Sequence, residues 1–163
     1  MDTILAIDPS LSCIGWAVMG ADTVYDYGIL VPYGNEFDAR LNSAYCWADS
    51  MGRERGIHQE LVTAIEIPVY YKNAKTLRDL AQLCGALRVG LSWHCRTIDV
   101  LPTERLSALG LPIRLRRNEA KARVLSLVNA MFELELTTKD HDIADAIAVG
   151  VAAQKKLKLE AWS

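Results

Sequence analysis

The amino-acid sequence predicts an α/β fold in which five strands form one mixed sheet and helices cover both of its faces. Short apolar runs separated by turn residues open the chain, a pattern typical of an antiparallel strand meander. Later apolar runs alternate with segments of helical period, as expected where strands are joined through helices. The hydrophobic share of 51% allows a substantial core.

Three strands open the chain. Residues 3–7 form an apolar run that ends before Pro9, because proline has no backbone N–H to donate to a neighbouring strand. Residues 14–19 and 23–31 follow through short turns. Each is therefore predicted to pair antiparallel with the strand before it.

Helices and strands alternate through the next part of the chain. Apolar residues recur at helical spacing over residues 37–51 and again over residues 74–91, where Asn73 is the expected N-cap. The strands that follow these helices are residues 61–67 and 97–101. Parallel pairing with right-handed crossovers then predicts the sheet order 3-2-1-4-5, with strand 2 antiparallel.

No internal repeat, low-complexity tract or flexible linker divides the 163 residues, so we expect a single domain, residues 1–163. No stretch approaches the roughly 18 uncharged apolar residues that span a membrane, and Met1-Asp2 lacks the basic start of a signal peptide. We expect a soluble cytoplasmic protein, in the host cytoplasm if the chain is viral. The four cysteines lack C-x-x-C spacing, which predicts reduced thiols and no zinc.

Four acidic residues occupy positions that a folded chain can bring together. Asp8 and Glu66 end the first and fourth strands, which the predicted order makes parallel neighbours, so both carboxylates should reach one edge of the sheet. Asp142 and Asp145 are three residues apart at the start of the last apolar helix and share one helical face. The alternative for this pair is simple stabilisation of a helix N-terminus by acidic side chains.

Such an acidic cluster needs a counter-ion, because two unit charges about 4 Å apart repel by about 4 kcal/mol at an effective dielectric constant near 20. Hard carboxylate oxygens suit Mg²⁺ or Mn²⁺ better than zinc. Two such ions support phosphodiester hydrolysis, whereas protonation of one acid is the alternative. Whether Asp140 or His141 joins the site stays open at this point.

The net charge of −2 hides an uneven distribution. Residues 72–123 hold eleven Lys and Arg against four Asp and Glu, a charge of +7, which leaves −9 for the remainder. A polyanion such as DNA is a suitable partner for this segment, although an unevenly charged, solvated surface is the alternative. Candidate contacts are one aromatic residue for base stacking and six basic residues for phosphates: Tyr70, Lys72, Arg105, Arg114, Arg116, Arg117 and Lys121.

Three segments resemble, in matching order, motifs of the RuvC Holliday junction resolvases. Residues 4–18, ILAIDPSLSCIGWAV, resemble the family's opening strand and hairpin. Residues 64–74, AIEIPVYYKNA, resemble its second acidic strand and the helix after it. Residues 142–148, DIADAIA, resemble its D-x-x-D-A-x-A end. The match covers nearly the whole chain.

The resemblance implies an RNase H-like fold and paired cuts at a four-way DNA junction, leaving 5′-phosphate and 3′-hydroxyl ends. It also implies a homodimer formed through the helix of residues 74–91. Asp8 is then expected to bridge two Mg²⁺ ions, with Glu66 completing the shell of one ion and the pair Asp142 and Asp145 that of the other. Lys121, in an N-E-x-K-x-x-V-like segment, is expected to steady transition-state charge.

Departures from the family pattern leave alternatives open. Ser10 replaces the glycine usual in the bacterial members, and Val69 occupies a position where an aromatic residue is common, so Tyr70 is the candidate replacement. A less selective RNase H-like nuclease on branched DNA and a non-cleaving DNA-binding module are the other function classes. An actin-like ATPase is disfavoured, because it needs a second domain with its own phosphate loop. The sequence indicates no branch-migration partner.

Overall fold

The computed structural model describes residues 3–56, 61–69 and 73–161. One sheet contains five strands: β1 Thr3–Asp8, β2 Ile14–Met19, β3 Val24–Leu30, β4 Leu61–Glu66 and β5 Arg96–Val100. Their order is β3-β2-β1-β4-β5. The β1–β2 and β2–β3 pairs are antiparallel, whereas β1–β4 and β4–β5 are parallel. The predicted order and the reversed second strand are thus confirmed.

Five described helices accompany the sheet: α1 Phe37–Gly56, α2 Ala74–Leu91, α3 Pro102–Ala108, α4 Arg117–Phe132 and α5 His141–Glu160. Asn73 caps α2 as predicted, since its Oδ1 accepts the Lys75 backbone N–H at 2.9 Å. The short helix α3 was not predicted. Among the described residues, no helix combines the length and the apolar character needed to cross a membrane.

The two faces of the sheet bury separate cores. Leu5 and Ile7 of β1 pack with α1 and α2, whereas Ile4 and Ala6 of the same strand pack with α5. This division follows from the period-two alternation of side chains along a strand. The same alternation directs Asp8 towards the face that carries α5. Helices on both faces were predicted, and this prediction is confirmed.

Helix α5 packs closely against the sheet at Gly150, where there is no room for a side chain. A Cβ added at Gly150 would collide with the Met19 sulfur and would crowd Ala6. Residues 143–153 of the helix are all buried. The close packing fixes where α5 begins, and the first two turns of this helix carry two of the predicted site residues, Asp142 and Asp145.

Candidate active site

A cleft opens at the edge of the sheet where β1 and β4 end. Its lining contains all four acids singled out in the sequence, Asp8, Glu66, Asp142 and Asp145, which are called the acid cluster below. Arg105, Arg117 and Lys121 also line the cleft. Acids from three distant parts of the chain therefore face one space, together with three basic side chains.

Strand register places the first two acids side by side. β1 and β4 are parallel, and Ile7 pairs with Ile65, so the next residue on each strand is Asp8 and Glu66 respectively. Neighbouring residues at the same level of a sheet point to the same face. Both carboxylates therefore project towards the start of α5.

A glycine allows the start of α5 to reach these acids. Gly15 of β2 pairs with Asp8 of β1, and a Cβ at Gly15 would run into the backbone carbonyl of Asp142. Any side chain at this position would push the first turn of α5 away from the strands. This role of Gly15 was not predicted from the sequence, although the residue lies inside the hairpin motif of residues 4–18.

The acids perturb one another's ionisation. Burial raises the pKa of Asp8 well above its usual range, and the charges of Glu66 and Asp145 raise it further, while Arg105 acts in the opposite direction. Burial also raises the pKa of Glu66, to about 7, and that of Asp145. Three crowded carboxyls with raised pKa values mark a place where a cation is strongly favoured.

One cation of the protein already lies inside the acid cluster. The Arg105 side chain extends from α3 and places Nε 3.1 Å from Glu66 Oε2 and Nη1 3.1 Å from Asp145 Oδ1. From the sequence, Arg105 is predicted to contact DNA phosphates. Two features of the sequence indicate the helix α3 that directs Arg105 inwards. One is proline in its first turn, and the other is Glu104, whose carboxylate accepts the Leu101 backbone N–H at 2.7 Å.

The other basic candidates lie further out. Lys121 of α4 places Nζ 3.9 Å from Asp142 Oδ1, at the rim of the acid cluster. Three arginines at the start of α4 and just before it are exposed and form no ion pair within the described part of the chain: Arg114, Arg116 and Arg117, called the basic shoulder below. The candidates Tyr70 and Lys72 lie outside the described residues.

Two residues whose membership of the site was open differ in their surroundings. Asp140 turns back to Thr137, accepting its backbone N–H and its hydroxyl at 2.8 Å each, and does not line the cleft. His141 has a buried Nδ1 without a hydrogen-bond partner among the described residues. Asp140 thus serves the turn before α5.

The donor set fits a hard divalent cation, although no three Asp, Glu, His or Cys side chains of the described residues are arranged to hold one as they stand. Arg105 provides the physical reason, since its guanidinium separates Glu66 from Asp145. The buried Glu66 Oε2 also lacks a hydrogen-bond partner in the described part of the chain. The carboxylate oxygens line one cleft, but the Arg105 guanidinium lies between those of Glu66 and Asp145.

Comparison with known proteins agrees with this architecture. One solved neighbour is the structure described as Thermus thermophilus RuvC in complex with Holliday junction substrate. It has a TM-score of 0.78 and 15% sequence identity, and the match covers 96% of both chains. The RuvC of Clostridioides difficile strain 630 is 24% identical over 96% of this chain and 92% of its own length. The RuvC of Nitratidesulfovibrio vulgaris is 25% identical over 96% and 93%.

The family model described as crossover junction endodeoxyribonuclease RuvC matches residues 4–153, which include the whole acid cluster. The structural likeness independently supports the fold at low sequence identity. The chain belongs to the RuvC family of crossover junction endodeoxyribonucleases.

Proposed function

We propose that this chain resolves four-way DNA junctions by metal-dependent phosphodiester hydrolysis, with the acid cluster as its metal-binding centre and residues 1–163 as one nuclease domain. The observation that carries the proposal is the convergence of Asp8, Glu66, Asp142 and Asp145 on one cleft. Membership of the family supplies the reaction class, an endonuclease acting on crossover junctions. The raised pKa values of Asp8, Glu66 and Asp145 support a site built to receive positive charge.

RuvC family nucleases depend on metal ions. We propose Mg²⁺, two ions per site, with Mn²⁺ able to substitute, because all four side chains offer hard oxygen donors. Asp8 would contribute to holding both ions, Glu66 would help to hold one of them, and Asp142 with Asp145 the other. When bound, the ions supply an activated water and a stabilised leaving 3′ oxygen. Hydrolysis of this kind leaves 5′-phosphate and 3′-hydroxyl ends.

Lys121 is the proposed partner of the reacting phosphate. Its ammonium lies beside Asp142 at the rim of the cleft, with about a third of the side chain exposed. From that position it can face both the acid cluster and a DNA backbone. A fixed positive charge next to a phosphate stabilises the negative charge that grows in the transition state.

The basic shoulder is the proposed track for the DNA arms. Its three guanidinium groups are exposed beside the cleft, and Arg117 lines the cleft itself. Contacts of this kind hold the phosphate backbone without reading the base sequence. Tyr70 and Lys72 stay proposed as contacts near the junction centre.

Paired cuts in two strands need two active sites, so we propose a homodimer assembled through α2. Gly85 supports this choice, because a Cβ added there would meet nothing within 4 Å and the helix surface is open at that point. Val89 is also exposed, at 56%. Gly90 serves a different purpose, since a Cβ there would strike the Tyr45 carbonyl oxygen of α1 at 2.6 Å. We propose the cytoplasm as the place of action.

A cleavage assay on synthetic DNA tests the proposal. We expect paired nicks in a four-way junction with Mg²⁺ or Mn²⁺, no cutting after chelation, and much slower cutting of flap, fork and linear duplex substrates. Equal rates on every branched substrate would instead identify a less selective nuclease. Junction binding without metal-dependent cutting would identify a non-cleaving DNA-binding module.

A further inference from the structure

Arg105 has an unusual position for a basic residue of a DNA-binding enzyme. Its guanidinium lies between two carboxylates of the acid cluster, with both contacts at 3.1 Å, and its side chain is only 15% exposed. An arginine guanidinium stays protonated in proteins, and that of Arg105 is held between the carboxylates of Glu66 and Asp145. Arg105 is therefore a fixed positive charge among the oxygens that a metal ion needs.

The contact is close but poorly aligned. Arg105 Nε and Glu66 Oε2 are 3.1 Å apart, yet both atoms are buried without a hydrogen-bond partner in the described part of the chain. A strong arginine–carboxylate pair is normally bidentate, with two parallel N–H···O bonds to one carboxylate. Here the guanidinium instead divides its contacts between carboxylates from β4 and α5. The contact with Glu66 therefore compensates charge with little directional bonding, whereas Nη1 lies within hydrogen-bond distance of Asp145 Oδ1.

From this geometry we infer that Arg105 is a displaceable counter-ion, which fills the centre of the acid cluster in the metal-free protein and leaves when metal binds. The inference rests on the proposed function of the cluster. Glu66 Oε2 and Asp145 Oδ1 face the guanidinium, so those oxygens cannot serve a divalent ion at the same point. Metal binding and the Arg105 contact therefore compete.

The released side chain has a place to go. Arg105 lines the cleft together with Arg117 and Lys121, so a rotated guanidinium stays on the cleft wall. There it joins the positive charges that meet a DNA phosphate. Metal loading thus converts Arg105 from a partner of the acids into a partner of the substrate.

Metal titration by calorimetry on the full chain tests the competition. The variants are Arg105→Gln and Arg105→Met, and Arg53→Gln is the control, since Arg53 pairs with Asp49 on α1 and does not line the cleft. At about pH 8.5, where protons compete least for the carboxylates, we expect both Arg105 variants to bind Mn²⁺ about tenfold more tightly than wild type. The control should match wild type.

Thermal unfolding gives a second readout that does not depend on cleavage. In chelator the Arg105 variants should melt below wild type, because Glu66 and Asp145 have lost the guanidinium that compensates their charges. Saturating Mn²⁺ should raise their melting temperature by more than it raises that of wild type. The melting temperature of Arg105→Lys, which keeps the charge, should lie between those of wild type and the neutral variants. This variant replaces the neutral ones in the test if they fold poorly.

The outcomes separate this inference from the proposed function. In one outcome, wild type binds Mn²⁺, Asp8→Asn abolishes the binding, and the neutral Arg105 substitutions leave it unchanged or weaken it. That outcome would overturn the displacement of Arg105 but would support the metal site. Mn²⁺ binding that is absent or insensitive to Asp8→Asn would overturn the metal site, and the displacement with it.

Discussion

The acid cluster and the basic shoulder lie side by side but are built in different ways. The acids come from three distant chain segments, and strand pairing with the close approach of α5 brings them together. The arginines are close neighbours in sequence, are exposed and form no ion pair within the described residues. The acid cluster thus depends on exact relative placement, whereas the basic shoulder contributes charge over a broad surface. Single changes should therefore be severe in the first and mild in the second.

The largest expected effect comes from removing one charge of the acid cluster. We expect Asp8→Asn to slow junction cleavage by at least about 100-fold while junction binding is retained, because a carboxylate proposed to hold the metal ions loses its charge. Gel assays of cutting and binding measure the two properties separately. Asp140→Asn is the matched control on the same edge, and we expect cleavage within about twofold of wild type, since asparagine keeps the acceptor for Thr137.

Similar losses of cleavage in Asp8→Asn and Asp140→Asn would show that the acid cluster is no more important for cleavage than the turn beside it. Full activity of Asp8→Asn would reject the assigned centre outright.

The pH dependence of stability provides an intermediate effect. A carboxyl whose pKa is higher in the folded protein stabilises that protein when protonated, and the contribution is lost as pH rises through the folded-state pKa. For Glu66 this window extends from 4.5 to about 7, and Asp8 and Asp145 shift in the same direction. We expect the metal-free protein to lose stability across that window, as measured by thermal unfolding in chelator.

Glu66→Gln isolates this contribution, because the variant should show a flatter dependence over the same range. The carboxyls whose pKa values are lowered, such as Asp49 and Glu104, lose their stabilising effect only in more acidic solution. A wild-type slope that survives unchanged in Glu66→Gln would show that the acid cluster is not its source.

The smallest effect is expected in the basic shoulder. Arg116→Gln should weaken junction binding a few-fold and reduce the slope of log affinity against log salt by about 0.9, the value for one phosphate contact. Fluorescence anisotropy over a range of salt concentrations measures both quantities. Arg53→Gln should leave the slope unchanged, and an Arg116 variant with the wild-type slope would exclude that residue from the DNA track.

The sequence predicted the parts that depend on strand pattern. Apolar runs and proline positions give the sheet order, and that order alone brings Asp8 beside Glu66. The position of Arg105 could not be read in this way. Helix α3 has seven residues, too few for a clear helical period, and Arg105 reaches the acid cluster because α3 packs against α5. Gly15 lies in the hairpin motif of residues 4–18, but the need for a glycine there could not be predicted, because it depends on the position of α5.

The most direct measurement is a crystal structure of this protein soaked in Mn²⁺, with the ions located by anomalous scattering. The predicted result is metal bound by Asp8 together with Glu66 or the two aspartates of α5, with Arg105 moved away from Glu66 and Asp145. Ions bound elsewhere, with the acid cluster still closed around Arg105 at saturating Mn²⁺, would contradict the account.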